Sequence, residues 1–405
     1  MENLVIQVLD VKTAFLHGKL DEEIYMMQPE GFVIKGQESK VYKLERALYG
    51  LKQASLAWNK EAHKSLLELG FSRKESDPGV YRNKSKRVIV ILYVDDVIFV
   101  GYDKTTVIPL KEAFMRKWEC RDLGNLKEYL GMNIVQDSKG ITIDQIDYAK
   151  KIVERFGQQD CKPTRTPLPA GYKPSKNTGK ADSKQITYYQ SIIGSLLWLT
   201  LGTCPDIAEA VIKLSQFSVN PSKEHIDKAL YILKYVNTTI NCKIAYTKKE
   251  GFIAFADADW ATDEIDRKSI TGNIIMLAGG PITWDSRKQK TIAQLSTEAE
   301  YMAASDCGKQ IIWIESLCME LGFNIKPMIL CVDNQGAIFA ASNPVLHKRM
   351  KHIDIKYHAI REWIEEEQIE LQYISTEEQL ADILTKSLPY ERFKQLRNKI
   401  GLIVF

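Results

Sequence analysis

Two kinds of hydrophobic pattern recur along this chain: short β-branched runs that predict strands, and apolar residues three or four apart that predict helices. Leu4 to Leu9 is a run of the first kind and delivers Asp10 at its end. The stretch after it, with Gly18, Pro29 and Gly31, reads as a surface loop. From Trp58 the residues Ala62, Leu66 and Leu69 recur at helical spacing, with Gly70 where a C-terminal cap belongs. Val88 to Val100 is two apolar runs joined by Asp95-Asp96, which predicts a buried hairpin with acidic groups at its tip. Between Asp160 and Asp182, four prolines and two glycines among polar residues predict a linker.

Beyond the linker, Ile226, Leu230 and Leu233 mark a helix closing near Asn237, and strand signals resume at Lys243. Strands are expected over Phe252 to Phe255, Asn273 to Leu277 and Ile282 to Trp284, with Gly279-Gly280 turning the chain between the last two. A long helix follows, with Ile311, Ile314, Cys318 and Leu321 as its buried stripe and Gly322 as its stop. Then come a strand from Met328 to Val332, helical material to about Glu367, a strand from Ile369 to Ile374 and a last helix running from acidic to basic. The order βββαβαβα is an α/β signature, so the whole chain reads as a multidomain α/β and α+β protein.

Composition narrows this little. The chain has 405 residues, too many for one ordinary core, so two to four domains are expected. With 55 Lys and Arg against 52 Asp and Glu, any nucleic-acid surface must be a local patch. Seven scattered cysteines without close CxxC pairs predict reduced thiols rather than disulfides or structural zinc. No apolar run approaches the roughly 20 residues needed to span a bilayer, so no membrane partner is expected.

The chemistry lies in two sets of carboxylates. Asp10 at a strand end and Asp95-Asp96 at a hairpin tip would meet if their strands were neighbours, and such convergence suits hard divalent cations. An Asp-Asp pair is otherwise a common turn, but here it sits between two apolar runs, where a purposeless polar turn is costly. The second set is Asp257 at a strand end, Glu300 in the first turns of the long helix, Asp333 ending a strand and Asp382 beginning the last helix. Each alone is an ordinary solvated or helix-terminal charge. Together, on separate elements of one α/β domain, they could build a second metal site.

These residues sit in spaced segments that resemble one family. Tyr93-Val94-Asp95-Asp96 looks like the YVDD box of reverse transcriptases, and LDVKTAFLHG from Leu9, MQPEGF from Met27 and ALYGLKQASLAW from Ala47 resemble copia-type retrotransposon Pol proteins. The segments DADW, STEAEYMAA, VDNQGA and EEQLADILTK are similar to the ribonuclease H (RNase H) domain of the same elements. The resemblance implies a partial reverse-transcriptase palm over 1–160, a linker and mainly helical thumb or connection over 161–242, and a mixed-sheet RNase H-like domain over 243–405.

It also implies roles. Asp10, Asp95 and Asp96 would bind two Mg²⁺ ions with the Val11 carbonyl as a further ligand. Phe15 would be a steric gate favouring dNTPs, Lys52 and Gln53 would line nucleotide and template, and Tyr129, Leu130 and Gly131 would form a primer grip. Asp257, Glu300, Asp333 and Asp382 would hold two more Mg²⁺ ions and cut the RNA strand of a hybrid, with Glu298 the fallback for Glu300. Arg267, Lys268, Arg287, Lys288 and Lys290 would position the hybrid backbone, and the HxDxxxH segment of His352, Asp354 and His358 would pack or touch substrate. The expected partners are an RNA template, a DNA primer, an RNA/DNA hybrid and dNTPs, in cytoplasmic particles.

The resemblance begins at the palm's first acidic motif, so the fingers region is expected to be lacking, and Ala54 to Trp58 departs from the family's APRAW. Two alternatives to a full polymerase with RNase H activity therefore stand: an element remnant with RNase H activity only, or an inactive nucleic-acid-binding protein.

Overall fold

The computed structural model describes residues 4–247, 251–260, 267–343 and 357–404. Their contacts group into two compact units, residues 2–126 with 319–323 and residues 127–318 with 324–405. Both are mixed α/β.

The first unit contains β1 (Val5–Val11), β2 (Lys19–Met27), β3 (Val41–Arg46), α1 (Ala54–Glu68), β4 (Ser72–Arg73), β5 (Val80–Asn83), β6 (Val88–Tyr93), β7 (Asp96–Gly101), α2 (Lys104–Met115) and β8 (Cys120–Asn125). Six strands form one sheet in the order β4-β5-β6-β7-β1-β8. Period-two alternation decides its faces: Leu9 and Val11 of β1, Val97 and Phe99 of β7, and Val90 and Leu92 of β6 share one core with Trp58, Ala62 and Leu66 of α1 and Val107, Leu110 and Phe114 of α2. The intervening residues of β1 and β7, Asp10 and Asp96 among them, therefore belong to the opposite face.

The stretch expected to be a loop after Asp10 instead carries a ribbon of β2 paired with β3. A register shift between Lys19 and Ile24 interrupts the alternation, and the acidic run Asp21 to Glu23 masks what remains of it. Helix α2 had no sequence signal, because Thr105, Thr106, Val107 and Ile108 are β-branched and Pro109 lies within it. The Asp103 cap on the Thr106 amide (2.8 Å) and burial of the Val107, Leu110 and Phe114 stripe outweigh those preferences.

The second unit contains β9 (Glu128–Tyr129), β10 (Met132–Asp137), β11 (Gly140–Asp144), α3 (Ile146–Arg155), α4 (Ser183–Gly202), α5 (Ala208–Ser215), α6 (Lys223–Thr238) and β12 (Cys242–Tyr246). It continues with β13 (Ile253–Asp259), β14 (Ile270–Leu277), β15 (Gly280–Lys288), α7 (Ser296–Leu321), β16 (Ile329–Val332), α8 (Gln335–Ser342), α9 (Ala359–Glu365), β17 (Glu370–Tyr373), α10 (Tyr390–Lys399) and β18 (Leu402–Val404). Residues 160–182, the expected linker, carry no helix or strand.

One sheet runs β15-β14-β13-β16-β17, with β16 parallel to both β13 and β17 and the other pairs antiparallel. Helices cover both faces. On one side Ala254, Ala256 and Ala258 of β13 meet Ala299, Ala303, Ala304 and Cys307 of α7, and side chains this small let helix and strand approach closely. On the other, Phe255, Ile274 and Cys331 pack with α4, α5, α6 and α10.

Strand β12, expected to open the last domain, joins a different sheet, ordered β18-β12-β11-β10-β9. Its partner β11 is a hundred residues earlier in the chain, and no local pattern reports such a pairing. Gly140 makes it feasible: its φ is +149°, and a Cβ there would lie 2.0 Å from the Tyr246 carbonyl oxygen. Gly140→Ala is therefore expected to cost about 2 kcal/mol or more, since overpacking adds to backbone strain. Thermal unfolding by circular dichroism checks this, and an unchanged melting temperature would mean that β11 and β12 do not pair.

The single last helix expected from the sequence is also corrected. Asp382 lies in a 3₁₀ turn, Leu380–Leu384, and α10 starts only at Tyr390 with Pro389 as its N-cap. Pro389 has no amide hydrogen and disfavours helical geometry at Leu388, so a helix cannot run through it. All seven cysteines are free, and no described helix is long and apolar enough to cross a membrane.

Candidate active sites

Asp10 and Asp96 are direct partners across the β1–β7 ladder, and Tyr93 pairs with Asp96 across the β6–β7 hairpin. The turn between them is held from both sides. The Val11 amide donates to the Asp95 carbonyl at 2.7 Å, and the Trp58 indole donates to the Val94 carbonyl at 2.5 Å. Val94 has φ +55°, which a β-branched residue rarely adopts, so these bonds hold a strained tip. Partial burial first, and then the charges of Asp95 and Asp10, raise the pKa of Asp96. Asp96 thus lies within electrostatic reach of Asp95 and Asp10 at one end of these central strands.

The second set is tighter. Asp257 lies on β13 and Asp333 directly follows β16, and the parallel register Phe255 to Cys331 brings the two level when continued. Both stand at the carboxyl ends of adjacent parallel strands, where open α/β sheets bind ligands. Glu300 comes from the first turns of α7, brought close by the alanine contacts above. One oxygen from each of Asp257, Glu300 and Asp333 lies within 4.8 Å of the others, the one such acidic group among the described residues. Asp257 is 1% exposed and Glu300 6%.

Burial and the Asp257 and Asp333 charges push Glu300 far above the carboxylate range, and burial raises Asp257 too. Glu300 Oε2 is buried with no hydrogen-bond partner. An orphaned buried oxygen beside two further carboxylates is what a hard divalent cation would satisfy, so these residues fit such an ion. Glu298, the alternative to Glu300, instead accepts the Gln294 amide at 2.7 Å and braces the helix start.

Asp382 stands apart from the triad although its charge reaches Asp257. Lys386 Nζ donates to its Oδ1 at 2.5 Å and Arg392 Nη2 to its Oδ2 at 3.2 Å. Thr385 donates to Asp257, and Thr376 to Asp333 at 2.8 Å. Sequence reading missed these four partners. The only signal, for Thr385 and Lys386, was the LTK run that begins two residues after Asp382.

Comparison with known proteins gives the family. Residues 1–170 match the family described as reverse transcriptase (RNA-dependent DNA polymerase). The chain is 39% identical over 412 residues to the retrovirus-related Pol polyprotein from transposon TNT 1-94 of Nicotiana tabacum, covering 99% of this chain and 31% of that protein. It is 38% identical to the Pol polyprotein from transposon RE1 of Arabidopsis thaliana, over 98% of this chain and 27% of that one. A Ty5-1 transposon protein of Saccharomyces cerevisiae is 36% identical and matched along 100% of its length. The chain belongs to the copia-type retrotransposon Pol family. It spans about a third or less of the first two of these relatives.

The reverse transcriptase match contains Asp10, Asp95 and Asp96 together with the other residues singled out in the first half of this Pol chain. Val11 is buried in the sheet core. Phe15 sits in the 3₁₀ turn Ala14–His17, its ring 4.8 Å from that of Tyr49. Lys52 is exposed, and Gln53, at the N-terminus of α1, donates to Glu22 at 2.8 Å. Tyr129, Leu130 and Gly131 lie in the second unit, where β9 and β10 form a two-residue hairpin. Leu130 and Gly131 both have positive φ, as such turns require.

Among the basic residues, Arg287 is committed to Asp285 (3.0 Å) and Asp306 (2.8 Å), and Lys288 to Gln216 (2.9 Å), while Lys290 is exposed. Arg267 is exposed and Lys268 half-buried. His358 Nδ1 lies 3.0 Å from the Tyr301 hydroxyl, whereas His352 and Asp354 lie outside the described residues.

Proposed function

We propose that this Pol chain works on nucleic acids at two centres, one for RNA-directed DNA synthesis and one for RNase H cleavage. The Asp257–Glu300–Asp333 triad with its orphaned glutamate oxygen is the observation that carries the second centre. The pairing of Asp10 with Asp96 beside Asp95, inside the reverse transcriptase match, supports the first.

Mg²⁺ bound by these acids would stabilise the charge that builds on phosphoryl oxygens during transfer. The chain's own groups do the rest. At the first centre the strained tip held by Trp58 and Val11 keeps Asp96 opposite Asp10 with Asp95 beside it, and Phe15, steadied by Tyr49, bounds the space where a ribose would lie. At the second, Thr376 orients Asp333, Thr385 orients Asp257, and burial keeps bulk water away from Glu300. The substrates read from this are an RNA template, a DNA primer and dNTPs for synthesis, and an RNA/DNA hybrid for cleavage.

One observation favours a second reading, cleavage alone. The oxygens of Asp10, Asp95 and Asp96 do not come together within 4.8 Å as those of the triad do. Assaying both activities separates the two readings. The purified chain with Mg²⁺ is expected to extend a primer on RNA and to cut the RNA of a hybrid, and EDTA abolishes both until Mg²⁺ is restored. Cleavage without extension would leave the nuclease reading, and activity that survives the chelator would contradict both centres.

A further inference from the structure

Lys386 stands inside the second centre, and none of the roles above uses it. Its Nζ lies 3.2 Å from Asp257 Oδ2 and 2.5 Å from Asp382 Oδ1. Asp382 is 4% exposed and receives Arg392 on its other oxygen at 3.2 Å. The far side of the site is served differently: Asp333 takes a hydroxyl, Glu300 Oε2 takes nothing, and among the described residues no cation pairs with either. The four acids therefore divide into an edge that side-chain cations already hold, Asp257 with Asp382, and an edge without a paired cation among the described residues, Glu300 with Asp333.

We propose that Lys386 is the resident cation of this centre. Its ammonium holds the place between Asp257 and Asp382, so the resting chain takes one divalent ion at the Asp257–Glu300–Asp333 triad and admits a second only when Lys386 withdraws. This rests on the RNase H reading of the site. The electrostatics are direct: a divalent ion between Asp257 and Asp382 would stand beside an ammonium in a poorly solvated site, where like charges repel strongly. The fold also provides room for withdrawal. Thr385, Lys386 and Ser387 border a cavity of about 250 Å³ whose lining also includes Asp259 and Glu209, the latter already paired with Lys213. The Lys386 side chain is already 32% exposed, so an ammonium that leaves Asp257 for that cavity is not stranded in an apolar interior.

A lysine that merely ties the 3₁₀ turn to the sheet would show none of this in metal binding. Mn²⁺ binding to the full chain is measured by electron paramagnetic resonance without nucleic acid, in an Asp10→Asn, Asp95→Asn, Asp96→Asn background that silences the first centre. One tight ion per chain is expected, and Asp333→Asn removes it. Lys386→Met is expected to bind a second ion at least tenfold more tightly than the parent does, and Lys386→Arg to stay at one.

Two ions of similar affinity in the parent, or an unchanged single ion in Lys386→Met, would overturn the proposal. If Lys386→Met does not fold, the parent stoichiometry decides, together with Asp382→Asn, which must keep the tight ion. Hybrid cleavage is followed in the same preparations. The expected stoichiometry without cleavage sinks the nuclease reading and leaves Lys386 as assigned, whereas cleavage with the wrong stoichiometry sinks the Lys386 assignment alone.

Discussion

Asp333→Asn is expected to lower Mg²⁺-dependent cleavage of an RNA/DNA hybrid by about 10³-fold, a loss of roughly 4 kcal/mol of transition-state stabilisation. The substitution keeps the size of the side chain and an oxygen that can accept from Thr376, now 2.8 Å from Asp333 Oδ2. It removes the charge from one corner of the triad. Folding should survive it, because Asp333 lies just beyond β16 and its oxygen pairs with a hydroxyl rather than a cation. Steady-state cleavage of a labelled hybrid, read beside a thermal melt, checks both halves. Cleavage that persists near the parent rate would remove Asp333 from the centre.

Asp96→Asn is expected to lower primer extension on an RNA template by a similar factor, about 10³-fold, without lowering the melting temperature. Burial and the charges of Asp95 and Asp10 already hold its pKa up, so its ionised form is unfavourable in the fold. Neutralising it relieves that repulsion while taking a charge from the site, the usual opposition between stability and activity in a catalytic cluster. Extension kinetics and calorimetry on one preparation measure the two effects. A variant that loses extension only by unfolding would show that Asp96 is a structural residue.

Much of this could be read in the sequence where one strand or one helix carries the signal. Asp10 closes an apolar run that forms β1, Asp95-Asp96 does sit at the tip of a hairpin, Asp257 and Glu300 stand on the strand and helix their flanking patterns predict, and Asp333 follows its strand directly. What stayed hidden depends on distant pairing or on a broken pattern. The bulge in β2 disguised a ribbon, β12 finds β11 a hundred residues away, and β18 is too short to show a period. The neighbours of Asp382 suit a helix, yet Pro389 divides that segment into a 3₁₀ turn and α10. Lys386 and Arg392 looked like the basic end of a helix. Their meeting with buried acids follows from the turn that the proline allows.

The two carboxylate centres proposed for this chain should do separate work. A single substrate tests it: a DNA primer annealed to a longer RNA, with the two strands labelled in different colours, so that extension and cleavage are read from one reaction in Mg²⁺. The parent chain should do both, Asp96→Asn should cleave without extending, and Asp333→Asn should extend without cleaving. If either substitution silences both reactions equally while the protein remains folded, the two centres are not separate.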